Sequence, residues 1–170
     1  MPKSKRTLKV FLSHAHADAD VVRVLYKRLL ADGVDVWLDK DRLLPGQDWD
    51  LEIQAALSAA DVVIICLSKK FGKPGYRQKE LRIALNKADL QPDGEIFIIP
   101  ARLGECEIPK NLAKWHWVDL FELDGYEMLM RTLRLQAEKK NVSLQSLTNL
   151  SVSRVCPYCG KPLSTVDQKK

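Results

Sequence analysis

A chain of 170 residues has room for one folded domain and a short appendage, and 46% hydrophobic with 29% charged residues is an ordinary globular composition. No apolar run approaches the roughly 20 residues of a membrane helix, and the basic N-terminus lacks the apolar core of a signal peptide, so we expect a cytoplasmic protein without membrane contact. Much of the net charge of +5 lies at the two ends, and no arginine-rich stripe interleaved with aromatics is present, which argues against nucleic-acid binding.

The N-terminal segment predicts a strand, a helix and a second strand. An apolar run over residues 8–13 forms the first strand and ends at a polar corner. Asp18 or Asp20 can cap the helix that follows, because a carboxylate accepts hydrogen bonds from the free amides at a helix start. The alternating, β-prone residues 34–38 then form the second strand.

The middle of the chain contains its strongest strand. A loop with a Pro-Gly turn over residues 39–47 precedes Asp48, which is placed to cap a helix over 49–60. Residues 61–67 form a nearly continuous apolar run, which predicts a strand buried on both faces of a parallel sheet. Cys66 within it is interpreted as a small core residue.

Four more elements complete the predicted fold. A Gly/Pro-rich loop over 71–75 leads to a helix that ends near Ala88, two strands cover 95–100 and 115–120, and an amphipathic helix spans 126–138. Strands that alternate with helices through short connections predict an α/β protein. The expected fold is a flavodoxin-like, doubly wound, five-stranded parallel sheet.

The folded domain is predicted to span residues 7–138. Residues 139–155 are polar and lack a clear period, which predicts a linker, and residues 156–170 form a tail in which Cys156 and Cys159 have the spacing of half a zinc knuckle. A structural zinc site needs four ligands and the chain has no second pair of this kind. Zinc shared between two chains, a redox pair and an unmetallated remnant therefore all remain open.

Two familiar chemistries match the chain poorly. The sequence His14-Ala15-His16-Ala17-Asp18 imitates a binuclear zinc hydrolase, but only one further histidine, His116, exists, so a helix-entry loop is the better interpretation. A response regulator shares the expected fold but needs a phosphate-accepting aspartate at the end of strand three, where this chain has Cys66-Leu67-Ser68. The glycine-rich phosphate loops are also missing from the sequence.

The expected sheet makes Glu80 the candidate functional residue. In such a fold ligands collect beyond the carboxyl ends of the strands. The segments that follow the first three strands, residues 13–20, 39–47 and 68–76, should therefore open on one rim. Glu80 should lie beside that rim, because it falls in the first or second turn of the helix that follows the third segment.

Three short motifs occur in order at the ends of the predicted strands. They are Val10-Phe11-Leu12-Ser13-His14, then Asp41-Arg42-Leu43-Leu44-Pro45-Gly46, and then Leu67-Ser68 followed by a loop, Tyr76 and Glu80. Together they resemble the box one, the BB loop and the catalytic-glutamate segment of a TIR (Toll/interleukin-1 receptor) domain of the bacterial type. The resemblance covers about residues 7–138, and it implies the flavodoxin-like fold that the element order predicts independently.

The resemblance implies an activity and a set of site residues. Many TIR domains cleave NAD at the nicotinamide–ribose bond in signalling or antiviral defence, with Glu80 here at the position of the catalytic carboxylate, NAD+ as substrate and no required cofactor. The implied substrate-binding residues are Phe11, Ser13, His14, Asp39, Arg42, Pro45, Gly46, Ser68 and Tyr76. Two of them depart from the family, because many members have tyrosine at the position of His14 and tryptophan at that of Tyr76.

The implied reaction suits a single carboxylate. The nicotinamide of NAD+ is a cationic leaving group that departs neutral, so no general acid is needed, and a carboxylate can offset the positive charge that grows on the ribose. The alternative function is a non-enzymatic module, because other TIR domains only assemble with one another. Self-association through TIR–TIR contacts is implied in both cases, whereas the residues leave open NAD or NADP and a linear or cyclic product.

Overall fold

The computed structural model describes residues 6–38, 44–70, 77–93 and 95–144, with the backbone alone at Trp49 and at 77–80. The elements are β1 (Lys9–Ser13), α1 (Ala19–Ala31), β2 (Asp35–Leu38), α2 (Trp49–Ala59), β3 (Val62–Leu67), α3 (Arg77–Asp89), β4 (Ile98–Arg102), β5 (Val118–Asp119) and α4 (Gly125–Lys139). Strands and helices alternate from β1 to β4, β5 follows β4 without a helix between them, and a short 3-10 turn, His16–Asp18, precedes the first helix.

The strands form one five-stranded sheet in the order β2-β1-β3-β4-β5, and every neighbouring pair is parallel. Consecutive parallel strands need crossover connections; α1, α2 and α3 supply the first three, and the connection from β4 to β5 contains no helix. The order reverses between β1 and β3, which is the arrangement of a flavodoxin-like sheet. The predicted fold class is therefore confirmed.

Helices cover both faces of the sheet, so the central strand β3 has no solvent-facing side. Val62, Ile64 and Cys66 pack in the cluster that contains the apolar residues of α1 and α4. The alternate residues of β3 pack in a second cluster with Leu57 of α2 and Ala84 of α3. All six residues of β3 are buried, as its apolar run predicts, and Cys66 is a core residue with no exposed surface.

Two strands differ from their predicted bounds. The fourth was expected over 95–100, but β4 begins later and extends to Arg102, because it pairs with β3 as far as the register Leu67↔Arg102. The fifth was expected over 115–120, but only two residues pair with β4. Because β5 is at the edge of the sheet, it pairs with a strand on one side only. Trp117, the residue before β5, is 37% exposed.

The domain continues past α4, where a linker was predicted from residue 139. Val142 is buried, and Ser143 forms a parallel bridge with Thr7. The amide of Leu8 donates to the carbonyl of Ser143 over 3.0 Å, and the amide of Ser143 donates to the carbonyl of Arg6 over 2.9 Å. Residues 139–144 of the predicted linker are therefore packed on the domain, and the rest of it, with the 156–170 tail, lies outside the described residues.

One predicted helix cap is confirmed and another is not. The side chain of Asp48 accepts a hydrogen bond from the amide of Leu51 at the start of α2, over 3.2 Å. Asp18 is the residue before α1, but its side chain bonds no helix amide, and Asp20 lies inside the first turn. Within the described ranges, no helix is long and apolar enough to cross a bilayer.

Candidate functional site

The candidate site lies at the carboxyl edge of the sheet, between β1 and β3. These two strands are adjacent and parallel, with Ser13 paired to Ile65 near their ends. The chain leaves β1 toward α1 on one face and leaves β3 toward α3 on the other face. Crossovers that diverge in this way open a crevice at the strand ends, where ligands of doubly wound sheets bind.

The first turn of α3 places position 80 at this edge. The helix begins at Arg77, soon after β3 ends, and returns along the sheet toward the start of β4, so its N-terminal turn lies at the carboxyl edge. Ala84 is only 2% exposed and packs with β1 and β3 residues, and position 80 is one helical turn before it on the same stripe. The backbone of Glu80 is thus beside the crevice, while its side chain is outside what the structure describes.

A hydrogen bond joins the two loops that border the crevice. The hydroxyl of Ser68, directly after β3, donates to Oδ2 of Asp18 over 2.5 Å. The same hydroxyl accepts a hydrogen bond of 3.0 Å from the amide of Lys70. Asp18 is 6% exposed, so the pair forms a largely buried bridge between the segments after β1 and after β3.

Three predicted substrate-binding residues lie beneath the crevice in this conformation. Phe11 has no exposed surface, and its ring stacks on Trp37 with centroids 4.9 Å apart and an interplanar angle of 13°. Ser13 and His14 are 4% and 1% exposed, and Nδ1 of His14 lies 2.8 Å from the carbonyl oxygen of Ala15. Their side chains support the crevice from behind, and a direct contact with substrate stays a prediction for all three.

The predicted BB loop ends in a tight, exposed turn. Gly46 has a φ of +89°, which suits the third position of a type II turn after Pro45. The amide of Gln47 donates to the carbonyl of Leu44 over 3.1 Å, and the Gln47 side-chain oxygen accepts from the Leu44 amide over 2.7 Å. Pro45 and Gly46 are exposed, whereas three other predicted site residues lie outside the described residues, namely Asp39, Arg42 and Tyr76.

Sequence reasoning missed an ion pair that closes the far end of the same edge. Arg102 at the end of β4 bonds Asp119 at the end of β5, and its Nη1 donates to the carbonyl of Cys106 over 3.1 Å. Burial raises the pKa of the Cys106 thiol despite the nearby Arg102 cation, so this group is protonated near neutral pH and is a poor nucleophile. The sequence feature that could have indicated this ion pair is Arg102, a charged residue at the end of an otherwise apolar strand.

The described side chains do not form a metal-binding site. Within the described ranges, no group of three or more histidine, cysteine, aspartate or glutamate side chains could hold a metal ion. The predicted zinc ligands Cys156 and Cys159 belong to the tail that the structure does not describe. The described part of the site is therefore a crevice with position 80 on its helix and a largely buried Asp18–Ser68 bridge.

Solved structures with this fold include TIR domains. The chain matches the TIR domain of the Toll-related receptor TRR-2 from Hydra magnipapillata with a TM-score of 0.62 and 24% identity, over 74% of this chain and 97% of that one. It matches a prokaryotic SEFIR domain with a TM-score of 0.55 and 18% identity, over 81% of this chain and 97% of that one. At these identities the likeness shows the fold alone.

Three curated relatives carry enzyme names. The NAD(+) hydrolase TcpA of Theionarchaea archaeon (strain DG-70-1) is 26% identical over 134 residues, which are 78% of this chain and 36% of that protein. The NAD(+) hydrolase PdTIR of Paracoccus denitrificans (strain Pd 1222) is 40% identical over 42% of this chain and 24% of that protein. The 2' cyclic ADP-D-ribose synthase BtTIR of Bacteroides thetaiotaomicron is 33% identical over 48% of this chain and 29% of that protein.

This chain thus spans little more than a third, at most, of the length of these relatives. The family match covers far more of it, because the model described as the TIR domain fits residues 10–134, from the first strand into the last helix. That range contains the whole five-stranded sheet except the first residue of β1, together with the crevice and position 80. On this match and the shared fold, the chain belongs to the TIR domain family.

Proposed function

We propose that this protein cleaves NAD+ at the nicotinamide–ribose bond, with Glu80 as the catalytic carboxylate, in signalling or antiviral defence. The observation that carries the proposal is the place of position 80, on the first turn of α3 beside the crevice between β1 and β3. Two curated relatives are named NAD(+) hydrolases, which supports the same substrate, and a third is named a 2' cyclic ADP-D-ribose synthase, which supports the same class of product. Because this chain matches only part of each relative, the activity is our inference for the domain itself.

The mechanism needs little more than a positioned negative charge. As the C–N bond breaks, its electron pair returns to the pyridine ring, nicotinamide leaves neutral, and positive charge develops on the ribose ring. The Glu80 carboxylate would hydrogen-bond the ribose hydroxyls and stabilise that charge. Water then adds to the ribose carbon and releases a proton to give ADP-ribose, or a hydroxyl or ring nitrogen of the same molecule adds to give a cyclic product.

The remaining predicted residues would bind and enclose the substrate. We place Ser13 and His14 on the side of the adenine or ribose, with Phe11 behind them, since these residues form the β1 side of the crevice. The turn at Pro45 and Gly46, with Asp39 and Arg42 before it, would form or cover the opposite wall. Ser68 and Tyr76 belong to the segment between β3 and α3, which would complete the crevice near Glu80.

A purified-protein assay tests the proposal. Concentrated 170-residue chain is incubated with NAD+, and nicotinamide, ADP-ribose and cyclic products are separated by liquid chromatography and identified by mass. Glu80→Gln keeps the side-chain size and removes the charge, so we expect nicotinamide release to fall by about 100-fold or more. Glu127→Gln makes the same change in the first turn of α4, on the other face of the sheet, and should leave the rate within about twofold.

Two results would contradict the enzymatic proposal. One is equal nicotinamide release by the wild type and by Glu80→Gln, which would show that another group or a contaminant does the chemistry. The other is no release above the blank from concentrated wild type. The product mass also decides between hydrolysis and cyclisation, and a parallel incubation with NADP+ compares the two dinucleotides.

A second function is favoured by the surface around the BB turn. Leu44 is 68% exposed and Leu51, in the first turn of α2, is 63% exposed, so two large apolar side chains flank the turn at Pro45 and Gly46. Exposed apolar residues grouped beside a protruding turn are typical of a protein interface. A non-enzymatic module would use this surface for TIR–TIR contacts, and its discriminating result is association without nicotinamide release.

A further inference from the structure

Helix α2 presents to solvent a face of small or apolar side chains. The largest of them, Leu51, is 63% exposed. No charged residue occurs in the segment 53–60, although 29% of the chain is charged. A surface helix ordinarily carries charged residues on its outer face, so this face is suited to contact another protein surface. Its exposed residues are Leu51, Gln54, Ala55, Ser58 and Ala59.

The outer face of α2 is complementary in shape to itself. Leu51, Ala55 and Ala59 form one row along it, because they are spaced by four residues, and the row has its one large side chain at the N-terminal end. When two such rows run in opposite directions about a two-fold axis at Ala55, each leucine lies over the alanine at position 59 of the other copy. The small residues then let the two helices approach closely. A parallel pair would instead place leucine against leucine and keep the alanines apart.

The two ends of α2 carry opposite charges. Its first turn contains Asp50 and Glu52. At its other end, Nζ of Lys87 from α3 donates hydrogen bonds to three carbonyls between positions 57 and 60, over 2.6 to 3.1 Å. Burial lowers the pKa of Lys87, and the carbonyl acceptors favour its charged form. An antiparallel pair brings the acidic turn of each copy toward the lysine end of the other, whereas a parallel pair brings like charges together.

We propose that the outer face of α2 binds a second copy of this chain as an antiparallel helix pair with its two-fold axis at Ala55. The partner is a second copy because the face matches itself both in shape and in the charges of its ends. The pairing goes beyond the proposed cleavage of NAD+ and does not depend on it. Even with the neighbouring Leu44, which is 68% exposed, one helix face is small for a protein interface. We therefore expect association at chain concentrations of about 1 to 100 µM.

Sedimentation velocity over a series of chain concentrations tests the pairing. The starting protein is the full chain with Cys156→Ser/Cys159→Ser, so that a metal shared by two tails cannot hold the copies together. Ala55→Arg places a cation beside its own copy at the two-fold axis and should raise the dimer dissociation constant by about tenfold or more. Leu51→Ala removes the large side chain of the row without adding a charge and should raise the same constant by about fivefold.

The matched control is Ala31→Arg, which makes the same substitution at the exposed last residue of α1, on the other face of the sheet. Its dissociation constant should equal that of the starting protein within about twofold. A starting protein that stays monomeric at the highest concentration would overturn the proposal. Dimers that Ala55→Arg weakens no more than Ala31→Arg does would overturn it as well, because the copies would then associate through another surface.

Disulfide cross-linking tests the direction of the two helices. A cysteine introduced by Ala55→Cys meets its own copy at the axis, whereas the cysteines of two Ala59→Cys chains lie about 12 Å apart along antiparallel helices, eight residues at 1.5 Å each. Oxidation should therefore give at least about fivefold more linked dimer from Ala55→Cys, with the starting protein as the blank. Equal yields, or more from Ala59→Cys, would overturn the antiparallel pair. Nicotinamide release is measured separately, so a paired chain that releases none contradicts the proposed function alone.

Discussion

Arg102 and Asp119 hold together the carboxyl ends of the last two strands through two parallel hydrogen bonds. Nε of Arg102 donates to Oδ1 over 2.5 Å and Nη2 donates to Oδ2 over 2.7 Å, and the two residues are also paired in register. The guanidinium lies 5.7 Å from the ring centre of Trp117 and 5.5 Å from that of Phe121. These two bonds between the guanidinium and the carboxylate join β4 to β5, where the two-residue strand β5 can form few backbone hydrogen bonds.

We therefore expect Arg102→Lys to destabilise the domain although it keeps the charge. A lysine cannot make the two parallel bonds and reach the Cys106 carbonyl as well, so the free energy of unfolding should fall by about 1 to 3 kcal/mol. Arg134→Lys changes the same residue type in an exposed ion pair with Glu127 and should cost less than about 0.5 kcal/mol. Urea denaturation followed by far-UV circular dichroism measures both, and equal losses would show that the fork geometry has no special role.

Gly125 is required by a close approach between α4 and the end of β5. A Cβ at this position would lie 2.0 Å from the backbone oxygen of Asp119 and 3.0 Å from the Cα of Leu120. Backbone atoms cannot move away without shifting β5, so Gly125→Ala should cost about 3 kcal/mol or more. The comparison is Gly46→Ala, where φ is +89° but no atom lies within 4 Å, and where only the backbone strain of about 1 kcal/mol is expected.

The prediction at Gly125 is checked by the same urea titration. The two alanine variants separate steric contact from backbone strain, because only one of them meets a neighbouring atom. A Gly125→Ala variant as stable as Gly46→Ala would mean that α4 can move away from β5 at little cost. In that case the short strand would contribute less to the fold than its contacts indicate.

Asp61 links the stability of the fold to acid pH. Burial alone would raise the pKa of this carboxyl, but two hydrogen bonds from Arg6, of 2.6 and 2.8 Å, and one from the Lys9 amide over 2.9 Å outweigh it and lower the pKa. A lowered pKa in the folded state means that the stabilisation is complete above the ordinary pKa of about 4 and is lost as the pH falls through the lowered value. We expect the free energy of unfolding to drop on the acid side of pH 4.

Asp61→Asn should remove part of that acid dependence. The variant should be less stable than the wild type by about 1 to 3 kcal/mol at pH 7, and the difference between the two should shrink as the pH falls below about 4. Asp93→Asn changes an exposed aspartate and should leave the curve unchanged. Urea midpoints measured from pH 3 to pH 7 give the answer, and a difference that stays constant over this range would refute the linkage.

The alternation of strands and helices could be predicted from the sequence because local patterns carry it. The apolar run of β3 and the cap at Asp48 are properties of short segments, and both are confirmed. The bounds of β4 depend instead on its register with β3, which no local pattern contains. The same reason explains why the bridge of Ser143 was not predicted, since its partner, Thr7, lies near the opposite end of the chain.

The candidate site shows the same division. The order of the strands brings the end of β3 and the backbone of position 80 to one edge of the sheet, while the roles of the site residues stay predictions. The hydrogen bond between Asp18 and Ser68 could not be predicted, because the two residues are 50 positions apart in the sequence. Local sequence indicated only a helix cap for Asp18, which would bond an amide a few residues away. The resemblance also implies that Phe11 lines the substrate site; that role stays a prediction, and no local pattern indicated that its ring would stack on Trp37.

The two tail cysteines give a prediction that metal analysis can check. We expect Cys156 and Cys159 from two chains to share a tetrahedral zinc ion, so purified protein should contain about 0.5 zinc per chain and lose its dimers on chelation. The double variant Cys156→Ser/Cys159→Ser should bind no zinc, and chelation should no longer change its oligomeric state at the same concentration. Cys106→Ser, which changes a half-buried thiol in the folded domain, is the matched control and should retain both. Zinc-free dimers, or zinc that survives the double substitution, would show that the pair is not the ligand set.

The bridge between Thr7 and Ser143 brings together the two ends of the described chain. The polypeptide enters and exits at neighbouring points on the side of the sheet opposite to position 80. The described chain therefore begins and ends at the amino edge of the sheet, and position 80 lies at the other end of the strands.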